Sequence, residues 1–185
     1  CCENYTRIAG DRSVKTLYWI RSGDLLLEMG KVKDAVFAYI EAADSADTAA
    51  AIDLWVKVAV LRQQLGDDKG VAVGYKLAAK LAEALAKHSL AFDLWSKAAD
   101  VFLGLNEDKF AAKANEQAAY NAQQEKWFDR AAGRYEKAAY LRQKIGQTQK
   151  MERDLNWVAD VWREAGRDTE AAIAYDTLAR FFGAE

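Results

Sequence analysis

Three stretches of this chain are the same sentence written at near-even intervals. "AIDLWVKVAVLRQQLGDD" and "AFDLWSKAADVFLGLNED" align residue for residue, with Trp55 in the first and Trp95 in the second. Around Trp19 the pattern is Trp, a small residue four later (Gly23), Gly30, then Ala35, Tyr39 and Ala42. The same offsets carry Trp55, Ala59, Gly66, Val71, Tyr75 and Ala78, and then Trp95, Ala99, Asn106, Ala111, Asn115 and Ala118. Tyr135, Ala139 and Gly146 open a fourth copy, continued by Met151, Leu155 and Val158. A last copy runs Leu155, Ala159, Gly166, Ala171, Tyr175 and Leu178. A chain reiterating at such an interval builds one supersecondary unit per copy, each burying its apolar face against its neighbours.

The spacing says what the unit is. Trp and the small residue, four apart, share one helix face, so a neighbouring helix approaches the small residue beside the indole. Gly near the end of that helix suits a left-handed cap, and Asn106 is the next best residue for it. Ala, aromatic and Ala at intervals of four and three mark one face of a second helix. Each copy is therefore two antiparallel helices around a tight turn. The chain has no proline, where average usage of about 5% would place roughly nine, which agrees with helix nearly throughout. Helices are predicted near 13–29, 32–44, 48–65, 68–87, 90–104, 107–123, 127–145, 148–165 and 168–182. Ser13, Thr48, Asp67, Ser89 and Thr148 are the expected N-caps. The second-helix role of 148–165 overlaps a first-helix role in the next copy, and 168–182 closes the stack.

This skeleton resembles the tetratricopeptide repeat, over roughly residues 13–182. Its interval, read from Trp19 to Trp55 and from Trp55 to Trp95, is longer than that family usually shows, and the proline that often closes each repeat is missing. The resemblance implies an all-α solenoid of antiparallel helix pairs, about nine helices, with a short N-terminal segment (1–12) ahead of a helical-repeat domain (13–185). It also implies that first-helix residues line a concave groove holding extended or helical peptides. Two residues after each first-helix aromatic stands a cation: Arg21, Lys57, Lys97 and Lys137. With Asp24, Val60, Asp100 and Tyr140, and with Leu17, Ile20, Val56, Ser96 and Glu136 beside them, they make the expected partner-binding groove. Such a cation column favours an acidic segment. Asp53 and Asp93 precede Lys57 and Lys97 by four residues, so local helix pairing is the competing role.

Other chemistry finds little support. Basic and acidic side chains number 26 and 28, without the basic excess of a nucleic-acid binder. No apolar run approaches the ~20 residues of a membrane-spanning helix. His88, the one histidine, has no partner at catalytic or ligand spacing and is expected at a helix C-terminus. "GDDKGVAVG" (66–74) reads as a helix cap, because its two aspartates repel phosphate. "EAADSADT" (41–48) lacks the central glycine of a calcium loop and reads as an inter-helix turn. Trp127, Phe128, Trp162, Phe181 and Phe182 are not dictated by the repeat and are candidates for end-covering or docking. No cofactor and no enzymatic activity are expected.

Cys1 and Cys2 are the only cysteines, and neighbouring positions do not suit an internal disulfide. A chain opening on Cys resembles a mature bacterial lipoprotein acylated at Cys1. The expectation is then a lipid-anchored scaffold or assembly factor in a multi-protein complex of the cell envelope, on the periplasmic side. A cytoplasmic adaptor or co-chaperone binding peptide segments, a structural subunit of a large assembly, and an enzyme lacking its catalytic part are the alternatives.

Overall fold

The computed structural model describes residues 12–182. Cys1, the expected lipid-anchor site, and nearly all of the N-terminal segment lie outside the described residues. Nine helices are described, in the order α1 (Arg12–Glu28), α2 (Val32–Ser45), α3 (Thr48–Gln64), α4 (Asp68–Ala84), α5 (His88–Gly104), α6 (Asp108–Gln124), α7 (Phe128–Lys144), α8 (Thr148–Glu164) and α9 (Asp168–Phe182). Packing groups them into two compact units, one ending at Ala86 and one beginning at Lys87. The repeat register runs on through that boundary, so nothing in the sequence marks it. In each unit, consecutive helices pack as antiparallel pairs in the manner of a tetratricopeptide-like α-solenoid.

The interval has a simple origin. The helices α3 to α8 are all of one length, and each is joined to the next by a connection of three, so helix pairs recur at the constant step seen from Trp55 to Trp95. The exception is α2, which is shorter by three and joined to α3 by a connection of two, and this contracts the step from Trp19 to Trp55. The connections repeat too. Gly66, Ala86, Asn106, Lys126, Gly146 and Gly166 recur once per helix at an even spacing, all at positive φ, as does Gly30. The N–H of the following residue reaches back into the helix at several of them. Asp67 donates to the Arg62 carbonyl at 2.9 Å, and Trp127 to that of Ala122 at 2.8 Å. These are Schellman closures, which occupy carbonyls left open at a helix end. The sequence marked the glycines and Asn106 as such caps but not Ala86 (φ 53°) or Lys126 (φ 59°), where a β-carbon makes the conformation costly.

These closures also correct several boundaries. Because Ala86 turns the chain, α4 ends at Ala84 and not near residue 87, and His88 opens α5 at the positive end of its dipole. His88 Nδ1 lies 3.0 Å from Asn121 Oδ1 on α6. Asp47, not Thr48, caps α3, accepting from the Ala50 N–H at 2.8 Å. Asp67 caps α4 as expected, accepting from Gly70 N–H at 2.9 Å. Ser13, Ser89 and Thr148 lie inside their helices.

The small-and-large interdigitation is physical. Tyr39 is fully buried at the centre of the first unit, among Leu54, Val58 and Leu61 with Trp19 and Trp55 against them. A β-carbon on Gly23 would lie 2.8 Å from the Tyr39 ring. One on Gly74 would lie 3.0 Å from the Ala59 β-carbon, so glycine there permits the close approach of α3 and α4.

Candidate protein-interaction surface

In the first unit, one tyrosine orders the charges. Tyr39 of α2 donates its hydroxyl to Asp24 Oδ1 at 2.6 Å, and Lys57 Nζ of α3 donates to the same oxygen at 3.1 Å. Lys57 also lies 4.1 Å from the Tyr39 ring centroid, a cation–π arrangement. The bond from Tyr39, then that from Lys57, holds the Asp24 carboxyl below the ordinary carboxylate range. Burial, then the neighbouring Asp24, pushes the Tyr39 hydroxyl up. Two residues of the expected groove, Asp24 and Lys57, are thus joined to each other. Lys57 is a strut between α1 and α3, and its bond goes to Asp24 and not to Asp53. Arg21 and Val60 are exposed on the same two helices.

In the second unit, Lys97, Asp100, Lys137 and Tyr140 are exposed. Asp100 has Arg134 Nη1 of α7 at 3.8 Å. Tyr140, at 67% of full exposure, is the most exposed large apolar side chain among the described residues. Trp127 is half-buried edge-on against Phe92, with centroids 5.6 Å apart. Trp162 lies beneath the Arg167 guanidinium, 4.3 Å from it. Phe128 is half-buried, and the side chains of Phe181 and Phe182 lie outside what is described.

A buried cluster escaped the sequence reading. Arg142 of α7 is almost wholly buried and donates from Nη1 to Asp154 Oδ1 of α8 at 2.6 Å. Its Nη2 bonds Glu116 of α6, which also accepts from Arg153 Nη2 at 3.2 Å. Burial pushes the Asp154 carboxyl up to about 7, against the pull of Arg142. Asp154 is fully buried, and its Oδ2 has no hydrogen-bond partner among the described residues. The readable signal was "Leu-Arg-Gln" at 61–63 and again at 141–143. Each arginine donates from Nη1 to the carbonyl eight residues on, Gly70 at 3.1 Å and Lys150 at 3.2 Å. Gly74 holds the place of Asp154 in the first unit, where Arg62 has Asp67 Oδ2 at 3.7 Å instead.

These charge clusters tie helices together, and the open surfaces belong to the helix faces. Such stacked helix pairs define a helical-repeat interaction scaffold. The sequence matches the family described as "SNAP: Soluble NSF attachment protein, SNAP" over residues 19–182, and the chain belongs to that family. No curated protein matches it. Among solved structures, BtubC (BKLC) from P. vanneervenii is 20% identical, with 88% of this chain and 77% of that one covered and a TM-score of 0.47. A MamA protein is 16% identical, with 90% and 91% covered and a TM-score of 0.46. YrrB, described as a TPR protein with an unusual peptide-binding site, is 13% identical, with 90% and 86% covered and a TM-score of 0.34.

Proposed function

We propose that this chain is a non-enzymatic attachment adaptor that holds a segment of a protein partner against its first-helix faces. The observation that carries this is the register Asp24, Val60, Asp100 and Tyr140, one position on successive first helices. Its two acids are engaged with Lys57 and Arg134, which leaves Val60 (42% exposed) in one unit and Tyr140 in the other as apolar contact points. Exposed apolar side chains set among neutralised charges suit a protein surface. The family name, which describes attachment, supports the same reading.

The test is binding of a partner purified from the native source. Val60→Asp and Tyr140→Asp together are expected to weaken binding at least about tenfold, since each places a charge at an apolar contact. Tyr120→Asp, an exposed site on the second helix α6, is the control. Equal loss in the control, or no loss in the double variant, contradicts the reading.

A second reading is favoured by α1. Val14, Leu17, Leu25 and Met29 are exposed along and just beyond that helix, as suits a structural subunit whose edge is covered in an assembly. Leu25→Lys with Met29→Lys separates the two, because it impairs assembly and spares partner binding if the face is an edge.

A further inference from the structure

The second unit contains a cleft of about 420 Å³ between α7 and the closing helix α9, floored by α8. Leu155, Val158 and Trp162 form its apolar floor, and Ile173, exposed on α9, forms one lip. The other lip carries Glu136, which has no hydrogen-bond or ion-pair partner among the described residues. Burial alone raises its carboxyl above the ordinary glutamate value. Its side chain stands exposed at that lip, where a cation of a partner can reach it.

The two charged residues that line the cleft, Glu136 and Glu170, are both acids. Glu170 also lines it, bonded to Arg167 Nη2 at 2.6 Å. That same guanidinium donates from Nη1 to Asp129 Oδ1 at 2.8 Å and covers Trp162. One arginine therefore serves two carboxylates, and Glu136 is left over. The corresponding cleft of the first unit, beside α1 and α3, is lined by Leu17 and Ile20. Ile20, Val56, Ser96 and Glu136 occupy one repeat register, so the acid at that position belongs to the second unit, whereas Asp47, which lines the first unit's cleft, is engaged as the cap of α3.

We propose that the α7–α8–α9 cleft takes a basic amphipathic segment of the protein partner, its apolar face on Leu155, Val158 and Ile173 and a Lys or Arg on Glu136. This rests on the attachment reading above and gives its second-unit surface a charge preference opposite to the acidic ligand that the column of Arg21, Lys57, Lys97 and Lys137 implies. Lys57 is already bonded within the protein, whereas Glu136 is not.

The test uses the full chain and two synthetic amphipathic helical peptides with identical leucine spacing, one carrying Lys and Arg on its flanks and the other Glu. The basic peptide is expected to bind by calorimetry, more weakly as salt rises. Glu136→Lys, at an exposed site, is expected to reduce its affinity about tenfold, and Ile173→Ser severalfold. Preference for the acidic peptide, or indifference to Glu136→Lys, overturns the charge assignment while leaving the attachment reading standing. Binding of neither peptide overturns the cleft assignment, and the Val60 and Tyr140 variants then judge attachment separately. Self-association abolished by Glu136→Lys overturns it too, making the occupant a second copy of this chain.

Discussion

Lys57 and Asp24 meet at 3.1 Å across two successive first helices, with the Tyr39 ring beneath the ammonium. Both members of the pair are nearly half exposed, so its stabilising effect is modest. Lys57→Met is expected to cost at most about 1 kcal/mol, and Tyr39→Phe about 0.5–1.5 kcal/mol for its hydroxyl bond. Asp24 sits below its ordinary range, so its contribution is present above pH ~4 and is lost as pH falls through its lowered value. Urea titrations of the unaltered chain, Lys57→Met and Tyr39→Phe at neutral and acid pH measure all three.

Gly23→Ala tests the packing under that pair. Its β-carbon meets the buried Tyr39 ring at 2.8 Å, and a fully buried ring has little room to give. Overpacking of this kind costs about 1–3 kcal/mol. Gly30→Ala, whose β-carbon meets nothing within 4 Å but whose φ is +70°, is expected to cost about 1–2 kcal/mol by backbone strain alone. Chemical denaturation distinguishes them, because adding Tyr39→Leu relieves the first and leaves the second unchanged.

The periodic left-handed caps give a stabilising variant. Lys126 is exposed with φ 59° where other connections have glycine. Lys126→Gly is expected to stabilise the second unit by about 1 kcal/mol, read as a higher unfolding midpoint. A lower midpoint would mean that the lysine side chain does something its exposure does not show.

The Arg142 cluster predicts a pH dependence of unusual sign. Asp154 titrates near 7 in the folded chain and near 4 when unfolded, so the native state holds the proton more tightly. Stability is therefore expected to rise as pH falls from about 8 towards 5, and Asp154→Asn to remove that slope. Arg142→Met strands Asp154 and Glu116 together and is expected to cost about 3–5 kcal/mol at neutral pH. Thermal unfolding across the pH series checks both.

Much of this fold was legible because its determinants are local. Trp19, Gly23, Gly30 and Tyr39 name their own faces and turn, and the interval carries that assignment from copy to copy. The caps at Ala86 and Lys126 were not legible, since neither residue favours positive φ and only the neighbouring helices impose it. The surface was legible as positions and not as energies. Val60 and Tyr140 stand exposed where expected, yet Lys57 took its partner from Asp24 on the preceding first helix. Local spacing pointed to Asp53. Glu136 likewise looked like one more groove neighbour until the cleft showed it to lack a cation.

The central claim is that partners dock on first-helix faces, and lysine footprinting tests it most directly. The partner-bound chain is acetylated and compared with the free chain by mass spectrometry. Lys97 on α5 and Lys137 on α7 are exposed on first helices, and Lys80 on α4 and Lys113 on α6 are exposed on second helices. Protection of Lys97 and Lys137, with Lys80 and Lys113 labelled as in the free chain, is the predicted result. Protection confined to Lys80 and Lys113 would place the partner on the opposite helices and contradict the account.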